Sequence, residues 1–121
     1  MKLREVDERV TYARQLQEDN GPVVLINEFN IAPDDVERFL DVWADNLAVT
    51  KQQPGCISMQ AYRGTAGSTT FGIIAVWESA AALGQAFLAP EFQALAAGYP
   101  ESTVAAPHVF KKLAVAGICV A

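Results

Sequence analysis

Asn27 stands where an apolar residue is expected. In VVLINEF, residues 23–29, the side chains of Val23, Leu25, Asn27 and Phe29 alternate onto one face of an extended segment. Amides are depleted in strands, and burying one without a partner costs about 1–3 kcal/mol. Two roles are open to it: an amide held by local backbone, or a donor presented to a cavity. In FGIIAVWE, residues 71–78, the same alternation puts Phe71, Ile73, Ala75 and Trp77 on one face. A carboxamide and an indole N–H are neutral donors that keep their role across neutral pH. Aimed into an apolar slot, such donors stabilise a developing oxyanion or peroxide. That suits a flat compound with an acidic C–H between a carbonyl and aromatic rings, whose anion can give an electron to O2 without metal or flavin. Trp77 is equally at home as a plain core residue.

Other residues carry smaller possibilities. Phe39, Trp43, Phe87 and Phe92 would shape any pocket, and Trp43 lies on an apolar helical stripe that also suits the core. Tyr62 and Arg63 close one extended segment; either one of them faces the pocket, where Tyr62 would relay a proton or Arg63 hold an enolate, or they form a solvent-facing pair at a sheet edge. Tyr99 is a lid or a packing residue. His108, the single histidine, is a base for C–H abstraction or a strand residue on a subunit surface. Glu28 falls on the face opposite Asn27, and Asp34, Asp35, Glu37 and Asp41 read as the solvated side of a helix.

The elements that would position these residues follow from pattern. Residues 6–18 are mostly helix formers, with Val6, Val10, Ala13 and Leu16 near helical spacing, and NGP at 20–22 is a stop. A strand covers 23–31. Pro33 opens a helix whose apolar stripe, Val36, Phe39, Leu40, Trp43 and Leu47, runs to about Gln52, before PG at 54–55. Strands at 56–63 and 71–78 flank the turn GTAGSTT, forming a hairpin. Ser79 caps a further helix that Pro90 interrupts, and residues 102–120 close the chain as an extended segment in which Pro107 favours an edge or a bulge. The order β-α-β-β-α-β is the ferredoxin-like split arrangement, an α+β fold with an antiparallel sheet. It divides the chain into an N-terminal arm, 1–21, and a domain, 22–121. Val24, Ile26, Ile74 and Val76 fall on the sheet face away from the helices, which predicts a homodimer packed sheet against sheet.

Composition limits the classes. The chain has 121 residues, 51% hydrophobic and 19% charged, with net charge −5 and a pI near 4.7. That is one domain with a real core, and its sign disfavours nucleic acid and anionic membranes. No apolar run approaches a membrane span, and the mixed charges of MKLREVDERV do not read as a signal peptide. Cys56 and Cys119 lack CxxC spacing and suit reduced thiols in a cytoplasmic protein. No GxGxxG loop and no His/Cys/Asp ligand cluster is present in the pattern.

Taken in order, PVVLINEF, QPGCISMQAYRG, AVWES, FLAPEFQAL and PHVFKKLAV resemble the antibiotic biosynthesis monooxygenases over residues 22–115. The resemblance implies a dimeric α/β barrel of ferredoxin-like subunits and a cofactor-independent oxidation of an anthrone- or quinol-like aromatic, with O2 as co-substrate. It implies catalytic roles for Asn27 and Trp77, which occupy the family's Asn and Trp positions. Phe39, Trp43, Tyr62, Arg63 and Phe87 are the expected substrate contacts. The family's haem-degrading branch carries an axial histidine on the helix after that Trp. Phe87 stands there and cannot ligate iron. A non-catalytic dimeric binding module on the same scaffold is the alternative reading.

Overall fold

Alternation along 23–30 becomes a strand because both of its neighbours alternate in the same phase. The computed structural model describes residues 1–18 and 21–121; of the expected stop at 20–22, Asn20 lies outside the described residues. The strand β2, Val23–Asn30, pairs antiparallel with β4, Thr70–Trp77, and on its other side with β5, Val104–Phe110. The strand β3, Cys56–Arg63, pairs with β4, and β1, Lys2–Leu3, runs parallel to β5. The order is β1-β5-β2-β4-β3. Its last four members carry the ferredoxin-like topology, and the sheet is open, not closed into a barrel.

Helices cover one face. A 3-10 turn, Pro33–Asp35, leads into α2, Val36–Lys51, which buries Phe39, Trp43 and Asn46. Ser79 begins α3, Ala80–Leu88, by accepting a hydrogen bond from the Ala82 N–H at 3.0 Å. Pro90 ends that helix as the spacing predicts, and α4, Pro90–Ala96, follows. The core beneath them is split. One cluster is aromatic: Phe29, Phe39, Trp43, Phe71 and Tyr99. The other gathers Tyr12, Val23, Ala75, Trp77 and Leu83.

The N-terminal stretch, read as a short helix or an arm, is an arm with one helical turn. Residues 6–18 do not form one helix: α1 is a single turn, Tyr12–Gln15, and β1 precedes it. Main-chain pairing with β5 holds the start of the arm. Lys2 N–H donates to the Thr103 carbonyl (2.9 Å) and Arg4 N–H to Ala105 (2.7 Å). At the far end of β5 the Gln15 side chain takes over the edge. Its Nε2 donates to the Val109 carbonyl and its Oε1 accepts the Val109 N–H, both at 2.9 Å. Pro107 sits between these two attachments, on the same side of the strand, where a missing N–H leaves no ladder bond unmade.

The opposite sheet face is uncovered. Ile26, Ile74, Tyr62 and Phe110 are each exposed there by 38% or more. His108 shares that face, paired across from Ile26.

Candidate functional site

The gap between the two core clusters is a cavity of about 70 Å³. Its floor is the inner face of the sheet: Leu25 and Asn27 from β2, Ile73, Ala75 and Trp77 from β4, Ala105 and Pro107 from β5. Trp43, Asn46, Leu47 and Thr50 come down from α2 at i, i+3, i+4 and i+7, one helical face. Leu83 and Phe87 of α3 and Phe92 of α4 close the far side, and Met1, Leu3 and Tyr12 of the arm complete the wall. Small residues keep the space open, since Ala75, Ala86 and Ala105 each offer only a methyl group to fill it.

Among the described residues no charged side chain lines this cavity, yet it is not purely apolar. Six buried side-chain polar atoms among the described residues have no hydrogen-bond partner, and four belong to cavity residues: Asn27 Oδ1, Trp43 Nε1, Asn46 Oδ1 and Trp77 Nε1. Buried polar groups are paired in the large majority of cases, so four unpaired atoms around one cavity single it out among the described residues. Asn46 Nδ2 donates to the Tyr99 hydroxyl at 3.1 Å. Burial pushes the Tyr99 phenol up to about 12, against the Asn46 hydrogen bond, which acts in the other direction. Burial likewise raises Tyr12. Both phenols are therefore protonated donors at neutral pH.

The structure brings together Asn27, Trp43, Trp77 and Phe87, all on the cavity wall. Asn27 and Trp77 share the inner face: Trp77 lies across from Val23, and Asn27 follows four residues along the same strand. The other three expected contacts lie elsewhere. Phe39 is fully buried behind the wall, 5.2 Å from Trp43 and 5.5 Å from Tyr99 between ring centroids, and it holds those two rings in place. Tyr62 pairs across from Gly72, so the sheet's parity turns it to the uncovered face, half exposed. Arg63 has the inner parity, but it sits at the open end of the edge strand. It lays its guanidinium over the Phe71 ring at 4.9 Å and donates to the Ser68 carbonyl. Tyr99, read as lid or packing, is a buried wall residue. Asn46 was not anticipated. Its signal was present: Phe39, Trp43, Asn46 and Thr50 step along one helical line, which puts an amide at a core position just as Asn27 does on the strand.

Residues 22–98 match the family model of the antibiotic biosynthesis monooxygenases. The chain belongs to that family. Among solved monooxygenase-family folds it is similar to SnoaB of Streptomyces nogalater, a cofactor-independent oxygenase. The identity is 23%, 81% of this chain and 99% of that one are covered, and the TM-score is 0.67. It is also similar to Rv0793 of Mycobacterium tuberculosis, at 22% identity, 79% and 99% coverage and a TM-score of 0.69. At these identities the likeness shows the fold. A curated relative, the uncharacterized protein sll1783 of Synechocystis, is 28% identical over 80 residues, 66% of this chain and 54% of its own length. The chain thus spans about half the length of that relative. Both solved structures are covered almost whole, while about a fifth of this chain falls outside the match, and the family model begins at residue 22, after the arm.

Proposed function

We propose that this family member is a cofactor-independent monooxygenase of a flat phenolic or quinol-like aromatic. The observation that carries the reading is the set of unpaired neutral hydrogen-bonding atoms gathered in an otherwise apolar cavity. For an anthrone-like substrate the overall change is a ring CH2 and O2 giving C=O and water. The substrate anion passes one electron to O2, the two radicals join as a peroxide, and the O–O bond breaks as the second C–H proton leaves. The oxygen released departs as water after protonation. Asn27 and the Trp77 indole N–H donate to the carbonyl oxygen as charge develops there and to the peroxide. No wall residue is placed as a strong base, so the acidity must come from the substrate itself. Phe87 stands in the wall, edge-on to Tyr12 at 5.8 Å, where it offers contact to a flat ring and no metal ligand.

The cavity's size adds a requirement. At about 70 Å³ it is well under the roughly 300 Å³ typical of the smallest ligand pockets. A fused-ring ligand therefore displaces part of the wall, and the short helices α3 and α4 are wall elements that take no part in the sheet's ladder. The uncovered sheet face, apolar at Val24, Ile26, Ile74 and Phe110, fits a second copy of the chain, which would give the dimeric barrel.

The test is O2 uptake by the protein alone on a panel of anthrones and hydroquinones, repeated with Asn27→Ala and Trp77→Phe. Uptake that falls in both variants supports the reading. Uptake unchanged in both removes the site assignment. Ligand binding with no uptake on any compound makes the chain a binding module.

A further inference from the structure

Asn46 is 2% exposed and Tyr99 6% exposed, and each lines the cavity. Their side chains are joined by one hydrogen bond, from Asn46 Nδ2 to the Tyr99 oxygen. The pair is left half satisfied. Asn46 Oδ1 is buried without a partner. The Tyr99 hydroxyl, having accepted from Asn46, keeps its own proton to give. Thr50, one turn on, does not help, because its hydroxyl donates to the Asn46 backbone carbonyl at 2.7 Å. A half-satisfied buried network is less stable than an apolar core. An amide kept there solely to hold Tyr99 would be a poor solution.

We propose that Asn46 and Tyr99 form a recognition station for a hydroxyl group of the ligand, at the end of the cavity remote from Trp77. A free acceptor beside a free donor is the complement of a C–O–H group. The ligand oxygen accepts from the Tyr99 hydroxyl, its proton goes to Asn46 Oδ1, and Asn46 Nδ2 closes the ring back to Tyr99. A carbonyl or an ether uses only half of this arrangement. An ammonium uses only the other half.

Position in the fold gives the station a direction. Tyr99 packs with Phe29, 6.3 Å between ring centroids, whereas Trp77 lies across from Val23. Val23 and Phe29 mark the two ends of the inner face of β2, roughly 20 Å apart at the rise of a strand, with Asn27 between them. A flat hydroxyl-bearing ligand anchored at Asn46 and Tyr99 therefore extends along the strand toward Asn27 and Trp77. The station fixes which edge of the ring system meets those residues.

The assignment refines the substrate class of the proposed oxidation and rests on that reading for its purpose, but its test needs no turnover. Titration calorimetry compares 2-naphthol with 2-methoxynaphthalene, which keeps the ring and the acceptor oxygen and lacks the proton. The expected result is a preference of about tenfold for the naphthol in the wild type, the value of one well-placed hydrogen bond in a dry site. In Asn46→Leu, which removes the acceptor for the naphthol proton, that preference should fall to near unity while the methoxy compound binds about as before. In Tyr99→Phe, which preserves the ring packing and removes the donor to the oxygen of both, both compounds should bind more weakly. Equal binding of the two compounds by the wild type, or binding of neither, overturns the proposal. So does a preference that survives Asn46→Leu, or binding of both compounds unchanged in Tyr99→Phe. A preference that is present and lost as expected, in a protein without O2 uptake, retires the oxygenase and keeps the station.

Discussion

Asn27→Leu should make the empty protein more stable and the loaded one inert. Asn27 Oδ1 is buried without a partner, and no hydrogen bond ties the side chain to the described residues. Leucine has the same branching at Cγ, so the substitution removes an unpaired carbonyl and puts methyl groups against Leu25, Ile73 and the open cavity. Relief of the unmet polar group is worth about 1–3 kcal/mol. The 121-residue chain has an unfolding entropy near 0.25 kcal/mol/K at typical per-residue values, so each kcal/mol moves Tm by about 4 °C. The expected rise is therefore about 4–12 °C, read by differential scanning calorimetry at one fixed protein concentration, because a dimer's Tm depends on it. O2 uptake should fall to background in the same variant. A Tm that drops below wild type would falsify the argument: Asn27 would then have a partner in the resting protein and would be there for the fold.

Three further perturbations probe the frame around the site. Gln15→Ala removes both hydrogen bonds that close the edge of β5 at Val109; it should cost roughly 1–3 kcal/mol and accelerate amide exchange at Val109 ahead of the β2–β4 ladder, as read by NMR. Gly55→Ala should be at least as damaging, by about 1–3 kcal/mol in urea unfolding, because φ is +94° there and a Cβ would stand 2.5 Å from the Ala82 Cβ at the start of α3. Tyr99→Phe alters the response to alkali. The Tyr99 phenol is raised from its ordinary value near 10 to about 12, so the unfolded chain loses this proton first. The wild type should then lose stability relative to the variant between about pH 10 and 12, and an unchanged difference across that window in denaturant titrations would count against the buried placement of the hydroxyl.

The strands and the helix boundaries at Pro33, Ser79 and Pro90 were legible because local chemistry and long-range pairing agree there. Alternation on 23–29 and 71–77 put Asn27 and Trp77 on one face, and the pairing of β2 with β4 put that face under the helices. Where the two levels conflict, pattern failed. Residues 6–18 have helix-forming composition, but the chain before Tyr12 joins β5 by main-chain pairing, and the Glu5 carboxylate takes the Tyr12 N–H at 2.8 Å. Tyr62 and Arg63 could not be assigned from alternation alone, because β3 carries a register shift between Cys56 and Ser58 that resets which residues face inward. Asn46 was hidden by a different habit of reading. A stripe of apolar residues draws attention to its members, and the polar residue set among them, the one a ligand would meet, is passed over.

The division of the core into two clusters bears on how such a protein changes over generations. The aromatic cluster around Phe39 ties α2 to the ends of β2 and β4. The second cluster, built from Tyr12, Ala75, Trp77, Leu83 and Ala86, contacts the first mainly across the cavity. Phe29, Trp43 and Tyr99 of the aromatic cluster line the cavity together with Tyr12, Ala75, Trp77 and Leu83 of the other. A substitution that reshapes the slot therefore also disturbs packing that holds the molecule together, and a lasting change of slot shape has to come with repacking on both sides.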